Sequence, residues 1–319
     1  MSFYKEPLHW IREAMESILN QSFKDFEAII ICDNPDYEEA VSYIEHLQEN
    51  DQRIRLICNP KNIGLTRSLN MGIDLAAGEY IARMDADDIA LPLRLERQVA
   101  FMDSHPDICI CATDAHIIDD RGAITRHNRY AKKTDPAELL ISNILAHPSV
   151  MMRKSLLDIR RPLYNEDYIY SQDYELWHAM FLKGIKPHTL KEPLLLYRKS
   201  WSQISVRQKD LQVSFFKKAH KSLITNWLID KKIIKEEDRE DLKTMLRKAS
   251  AAFNNASEQE QHELAHIIYV LYFSLGTSEG KYKLLYLFDR NFIAFRIKSI
   301  FTFRLIFSHK TRRNRTGFI

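Results

Sequence analysis

The chain of 319 residues carries 46 Lys and Arg against 43 Asp and Glu, a formal charge of +3, with 45% hydrophobic residues, 28% charged residues and eight Gly. That length accommodates about two domains of roughly 150 residues each, and the composition excludes global disorder, collagen and low-complexity architectures. The charge is uneven: residues 213–319 hold 20 basic against 11 acidic residues, which leaves the preceding body acidic. A basic C-terminal part points to an anionic partner, either lipid headgroups or nucleic acid.

The cysteines Cys32, Cys58, Cys109 and Cys111 lie in apolar runs without the paired spacing of a zinc site, and read as small buried hydrophobes. Met1 to Trp10 is polar and broken by Pro7, unlike a signal peptide, and no apolar run reaches the roughly 18–20 residues of a bilayer span. A cytoplasmic location is expected.

In chain order, Ile11, Met15, Ile18 and Leu19 share one face of a helix over 10–21, and an apolar strand at 26–32 is stopped by Asp33, Asn34 and Pro35. A helix over 36–50, a strand at 54–58, a helix over 66–76 and a strand at 80–84 follow. Short apolar strands joined by helices predict βα units and a parallel sheet covered on both faces. Strands are then expected at 108–112 and 115–118, with a turn from Asp119 to Gly122 ahead of another extended stretch. The pattern is mixed beyond Pro136, and helices dominate after about Gln203. The expected division is an α/β domain over 1–210 and a helical region over 211–319.

The segment from Ala82 to Pro92 carries the chemistry. An apolar strand ends in Asp85, Asp87 and Asp88, and ligands of open α/β sheets sit outside the carboxyl ends of the strands. Such a cluster repels itself unless a cation sits among its members. Mg²⁺ or Mn²⁺ bridging to a diphosphate fits, since both prefer oxygen ligands. Upstream, the run from Asn62 to Gly72 links a strand to a helix, with Gly64 permitting close backbone approach, as in loops that hold a nucleotide or phosphate at a helix N-terminus.

Five pieces occur in a telling order: Ser17 to Glu27, the strand ending in Asp33, Asn62-Ile63-Gly64, Asp85-Ala86-Asp87, and Ser171 to Trp177. From about Ser2 to Ser205 the chain resembles glycosyltransferase family two, with its GT-A nucleotide-sugar-binding fold, and most closely the bacterial exopolysaccharide, capsule and O-antigen enzymes. The resemblance implies that Asp33 contacts the donor base, that Arg67 or Asn70 shapes the nucleotide cleft, and that Asp85 contacts the ribose or shares the metal shell. It implies Asp87 as principal ligand of Mg²⁺ or Mn²⁺ and Asp173 as catalytic base, with Gln172 where many relatives have Glu.

Weaker expectations concern the acceptor or phosphate. His147 falls where relatives have a segment near the acceptor pocket, although a lone His is more often structural, and Trp177 is either a sugar platform or a core aromatic. Tyr197-Arg198 matches a Tyr-Arg pair that relatives follow with His. Here Lys199 follows instead, leaving Arg198 or Lys199 to meet a phosphate. Relatives also begin with an apolar strand of about six residues, and Met1 falls where that strand ends. The expectation is either a start upstream or a missing central strand, with exposed sheet edges and weakened donor binding.

Beyond Tyr282, Phe292, Phe295, Phe301, Phe303 and Phe307 are interleaved with basic residues, and over 281–319 ten basic residues face only Asp289. This composition suits either a helix lying on anionic lipid at the inner face of the plasma membrane or a core-packing helix with a solvated tail, and no nucleic-acid recognition motif accompanies it. The reading is a metal-dependent, inverting transferase that moves a sugar from a nucleoside diphosphate, UDP by preference, to a saccharide or polyprenyl-linked acceptor. The alternative is a catalytically inactive relative that binds nucleotide sugar or membrane as a scaffold. A sugar-nucleotide pyrophosphorylase would need an N-terminal Gly-rich loop, which this chain lacks.

Overall fold

The computed structural model describes residues 1–128, 130, 143–185, 187–200 and 209–279. Helix α1 (Leu8–Leu19) begins at Pro7, whose carbonyl accepts from the Trp10 and Ile11 amides at 2.9 and 3.2 Å. Its buried stripe is Trp10, Ile11, Ala14 and Met15, the spacing of one helical face. Burial of Ile11 and Met15 contributes about 1.5–3 kcal/mol each.

Strands β1 (Ser2–Phe3), β2 (Ala28–Cys32) and β3 (Ile54–Cys58) form a parallel sheet in that order, with Cys32 opposite Cys58. Helix α2 (Glu38–Asn50) connects β2 to β3, and α3 (Leu65–Leu75) follows β3. Cys32 and Cys111 are buried as expected, whereas Cys58, at the last position of its strand, is exposed.

A second sheet takes the order β4 (Tyr80–Ala82), β8 (Met151–Arg153), β6 (Ile110–Ile118), β9 (His188–Arg198), β5 (Ile89–Ala90), with β7 (Ile124–Asn128) paired to β6. The expected all-parallel sheet is therefore corrected: β4 runs antiparallel to β8, with Ile81 opposite Met152. A three-residue apolar run carries no signal of direction, and its partner comes from far along the chain. The two strands expected at 108–112 and 115–118 are one. The polar pair Thr113-Asp114 that breaks the apolar run marks register shifts against β9 on both sides of Asp114, with Pro193 opposite it. A bulge, which tolerates proline, replaces the expected gap.

Residues Met1–Phe3 occupy the central position between the sheets. Ser2 pairs with Ile31 of β2 and bridges in parallel to Asp85, and the Met1 amino group donates to the Ile29 carbonyl at 2.9 Å. Beyond Met1 a cavity of about 920 Å³ separates β2 from β4, lined by Ile29, Ile30, Ile81, Ala82, Val99 and Met152 among others.

The chain divides into two compact units between His220 and Lys221, within α7 (Lys209–Asp230). In the second unit, Asp241 caps α8 (Leu242–Phe253) by accepting from the Lys243 and Thr244 amides at 3.0 and 3.2 Å. Helix α9 (Glu258–Glu279) buries Leu264, Ile267, Ile268 and Leu271. Among the described residues no helix is long and apolar enough to cross a membrane. The basic, aromatic stretch 281–319 lies outside the described residues.

Candidate active site

The carboxyl ends of β2 and β4 meet here, and buried polar groups fix the backbone around them. Asp33, buried at the end of β2, accepts from the amides of Ile63 and Gly64, both at 2.9 Å, and from Asn59 Nδ2 at 2.7 Å. Its carboxylate thus shapes the loop that carries Asn62 and Gly64 into α3. Gly64 has φ +88 with open space around its Cβ position, a conformation essentially reserved for glycine. Gly64→Ala is expected to destabilise the chain by about 1–3 kcal/mol, read by urea unfolding.

On α3 the two residues expected to shape the cleft turn elsewhere. Arg67 is exposed and pairs with Glu166 at 3.0 Å. Asn70 is buried and clamps the Tyr164 backbone, donating to its carbonyl and accepting from its amide at 2.9 Å each. Asn70 is a brace for the segment leading to Asp173, because both ends of its amide are satisfied inside the protein.

The acidic turn is held from beneath by two buried guanidiniums. Arg94, in α4 (Arg94–Ser104), donates to the Arg83 carbonyl at 2.6 Å, and burial lowers it only to about 10, so it stays cationic. Arg198 donates to the Asp87 carbonyl at 2.8 Å and to the carbonyls of Asp119 and Asp120 at 3.0 and 3.2 Å, and it pairs with Glu13. Fully buried, it is an internal cross-link, which corrects its expected role at a phosphate. Lys199 is exposed, and its amide bonds the Ile118 carbonyl at 2.9 Å.

Carboxylate oxygens of Asp85, Asp87 and Asp88 lie within 4.8 Å of one another. Asp85 and Asp87 are half-buried and Asp88 is fully buried. Burial first, and then the charges of Asp87 and Asp85, push the Asp88 carboxyl well above its ordinary range. One of its oxygens accepts the Arg198 amide at 2.7 Å; the other, buried, has no hydrogen-bond partner among the described residues. Three hard oxygen donors with one orphaned atom fit Mg²⁺ or Mn²⁺.

Asp173 lies in the first turn of α6 (Gln172–Leu182), after Ser171 in the left-handed region at φ 58. Asn143 Nδ2 donates to its carboxylate at 2.7 Å. Burial raises the Asp173 carboxyl, against the lowering effects of the Tyr174 amide, Arg83 and Asn143. His147 and Tyr164 share a hydrogen bond of 2.6 Å. Burial, reinforced by Arg83, holds His147 well below its usual value, so it is a neutral core group.

Trp177 is 1% exposed and meets His147 edge-on at 5.9 Å, the core-aromatic alternative and not the sugar platform. Trp177→Ala is expected to cost about 3–5 kcal/mol in urea unfolding, and Trp177→Phe to leave the KM for acceptor unchanged.

Sequence reasoning missed Arg83, Asn143 and Tyr164. Arg83 sits inside the motif and was legible as a charge on an apolar strand. Asn143 and Tyr164 carry no local signal.

A mixed α/β sheet with an acidic turn at a strand end, facing a carboxylate at a helix start, defines a GT-A nucleotide-sugar transferase domain. The chain belongs to glycosyltransferase family 2, whose model matches residues 1–160. It is 35% identical over 234 residues to an uncharacterised glycosyltransferase of Methanocaldococcus jannaschii, covering 71% of this chain and 78% of the relative. Over 189 residues it is 33% identical to the O-antigen biosynthesis glycosyltransferase WbnJ of Escherichia coli, covering 58% and 72%. In fold it is similar to residues 1–349 of TarS from S. aureus, solved in complex with UDP, with a TM-score of 0.55 at 15% identity, covering 94% of this chain and 92% of that one. The chain is thus a family 2 type glycosyltransferase related to polysaccharide-biosynthesis enzymes.

Proposed function

We propose that this chain transfers a sugar, with inversion, from a UDP-sugar to a hydroxyl of a saccharide or polyprenyl-linked acceptor in cell-surface polysaccharide synthesis. The observation that carries the reading is the convergence of two carboxylate sites. Arg83 pairs with Asp85, and its charge also reaches Asp173, on a distant helix, where it partly opposes the burial that raises that carboxyl. Asp173 takes the proton of the acceptor hydroxyl as its oxygen attacks the anomeric carbon. The bond from that carbon to the β-phosphate oxygen breaks, and the nucleoside diphosphate leaves with the electron pair. Asp87, with Asp85 and Asp88, would hold Mg²⁺ or Mn²⁺, which when bound offsets the charge of the departing diphosphate.

Asp33 and the Asn62–Gly64 loop present the nucleotide side, and the open space at Gly64 leaves room for a ligand to approach the backbone. The composition of 281–319 favours an acceptor at anionic lipid on the inner face of the plasma membrane. Thermal shift with UDP, GDP and their sugars, with and without Mn²⁺, tests the donor side. UDP at a hundredfold its Kd should add about 2.7 kcal/mol of stability when Mn²⁺ is present. No response to any nucleotide would overturn the reading in favour of an inactive scaffold.

A further inference from the structure

Arg83 is a buried cation at the centre of the site. It follows β4, its side chain is 5% exposed, and it grips Asp85, whose side chain is 28% exposed. Its backbone cannot shift easily, since its amide donates to the Val150 carbonyl at 2.8 Å and its carbonyl accepts from Arg94. Its Nε, also buried, has no hydrogen-bond partner among the described residues. A guanidinium that served only to tie the fold would be expected to have that donor satisfied, because an orphaned buried N–H on a charged group is costly. The ionisable groups around Arg83 are Asp85, Asp88, Arg94, Tyr164, His147, Asp173 and the Met1 amino group.

We propose that Arg83 is a positioning residue that competes with the divalent cation for Asp85, neutralising that carboxylate when no metal is bound. This inference rests on the metal-dependent reading above. A guanidinium and a divalent ion sharing one carboxylate repel each other strongly in a poorly solvated site. The negative charge of a diphosphate offsets that repulsion, so ion and nucleotide are held together or not at all. When the nucleotide departs, Arg83 would take Asp85 back and so weaken the hold of the acidic turn on an ion. Nothing in this scheme requires Arg83 to touch the substrate.

Isothermal titration of the full chain with Mn²⁺, alone and in the presence of UDP, tests the competition in the parent, Arg83→Met and Arg83→Lys. Without UDP, Arg83→Met should bind Mn²⁺ about tenfold more tightly than the parent, and the factor by which UDP tightens Mn²⁺ should shrink correspondingly. Arg83→Lys keeps the competing charge and should stay near the parent. A purely structural role would weaken ion binding in both variants or leave it unchanged.

A folded Arg83→Met protein that binds Mn²⁺ no more tightly than the parent overturns the proposal. Should Arg83→Met not fold, Arg83→Gln, which keeps a hydrogen bond to Asp85 without the charge, takes its place under the same criterion. Absence of Mn²⁺ binding in every protein even with UDP would overturn the metal-dependent reading itself and this inference with it. Mn²⁺ binding by the parent with UDP, unaffected by the substitutions, would overturn this inference alone.

Discussion

Asp173→Asn is expected to lower sugar transfer by about 10²- to 10⁴-fold while leaving the thermal shift by UDP with Mn²⁺ intact. Asn is nearly isosteric and can still bond Asn143 through its amide, but it cannot take the acceptor proton. Asp173 lies in the first turn of α6 and is not one of the three carboxylates that would hold the ion, so donor binding should survive. The wild-type rate should also carry an acid limb set by Asp173. Burial raises this carboxyl, so activity is full where it is ionised and falls as pH drops through a value above the ordinary carboxylate range of about 3.9. Transfer that persists in Asp173→Asn, or a rate with no acid limb, would remove Asp173 as the base.

Asp87→Ala should act on the other half of the site. The expected loss is the whole metal-dependent part of UDP stabilisation, about 2.7 kcal/mol at a hundredfold Kd, or about 5–10 °C in Tm for a domain of this size. The fold should survive, since the Asp87 side chain is half-buried and Arg198 holds the residue by its backbone carbonyl. Differential scanning fluorimetry with and without Mn²⁺ reads the difference directly. Equal stabilisation of parent and variant would place the ion elsewhere.

The local elements were legible in the sequence because they rest on short-range signals. Helix α3 starts within one residue of expectation, and β3 matches its apolar run, since Gly64 precedes the helix and Pro60 follows the strand. Strand direction was not legible, because β4 meets β8 across a long stretch of sequence. The acidic turn was read from an apolar strand ending in three carboxylates, and Asp173 from motif resemblance, which conveys residue type and order. Burial is a property of the assembled core, and it separated Arg198 and Trp177 from the ligand-facing roles that their chemistry suggested. Asn143 shows the limit most clearly: its bond to Asp173 joins two segments that have no periodic or compositional relation.

The two sheets are separate ladders bridged from Ser2 to Asp85, with α1 packed on both: Ile11 and Met15 against the first, Ala14 against Met84 and against Ala90 and Leu195 of the second. Asp33 and its loop ride on one plate, while Asp85, Asp87 and Asp88 ride at the edge of the other. A nucleotide bound across both would span a mechanical seam, its base on one side and its diphosphate on the other. Donor binding would then act as a rivet, and the amides of β2 and β4 along the cavity should exchange with deuterium more slowly once the donor is in place.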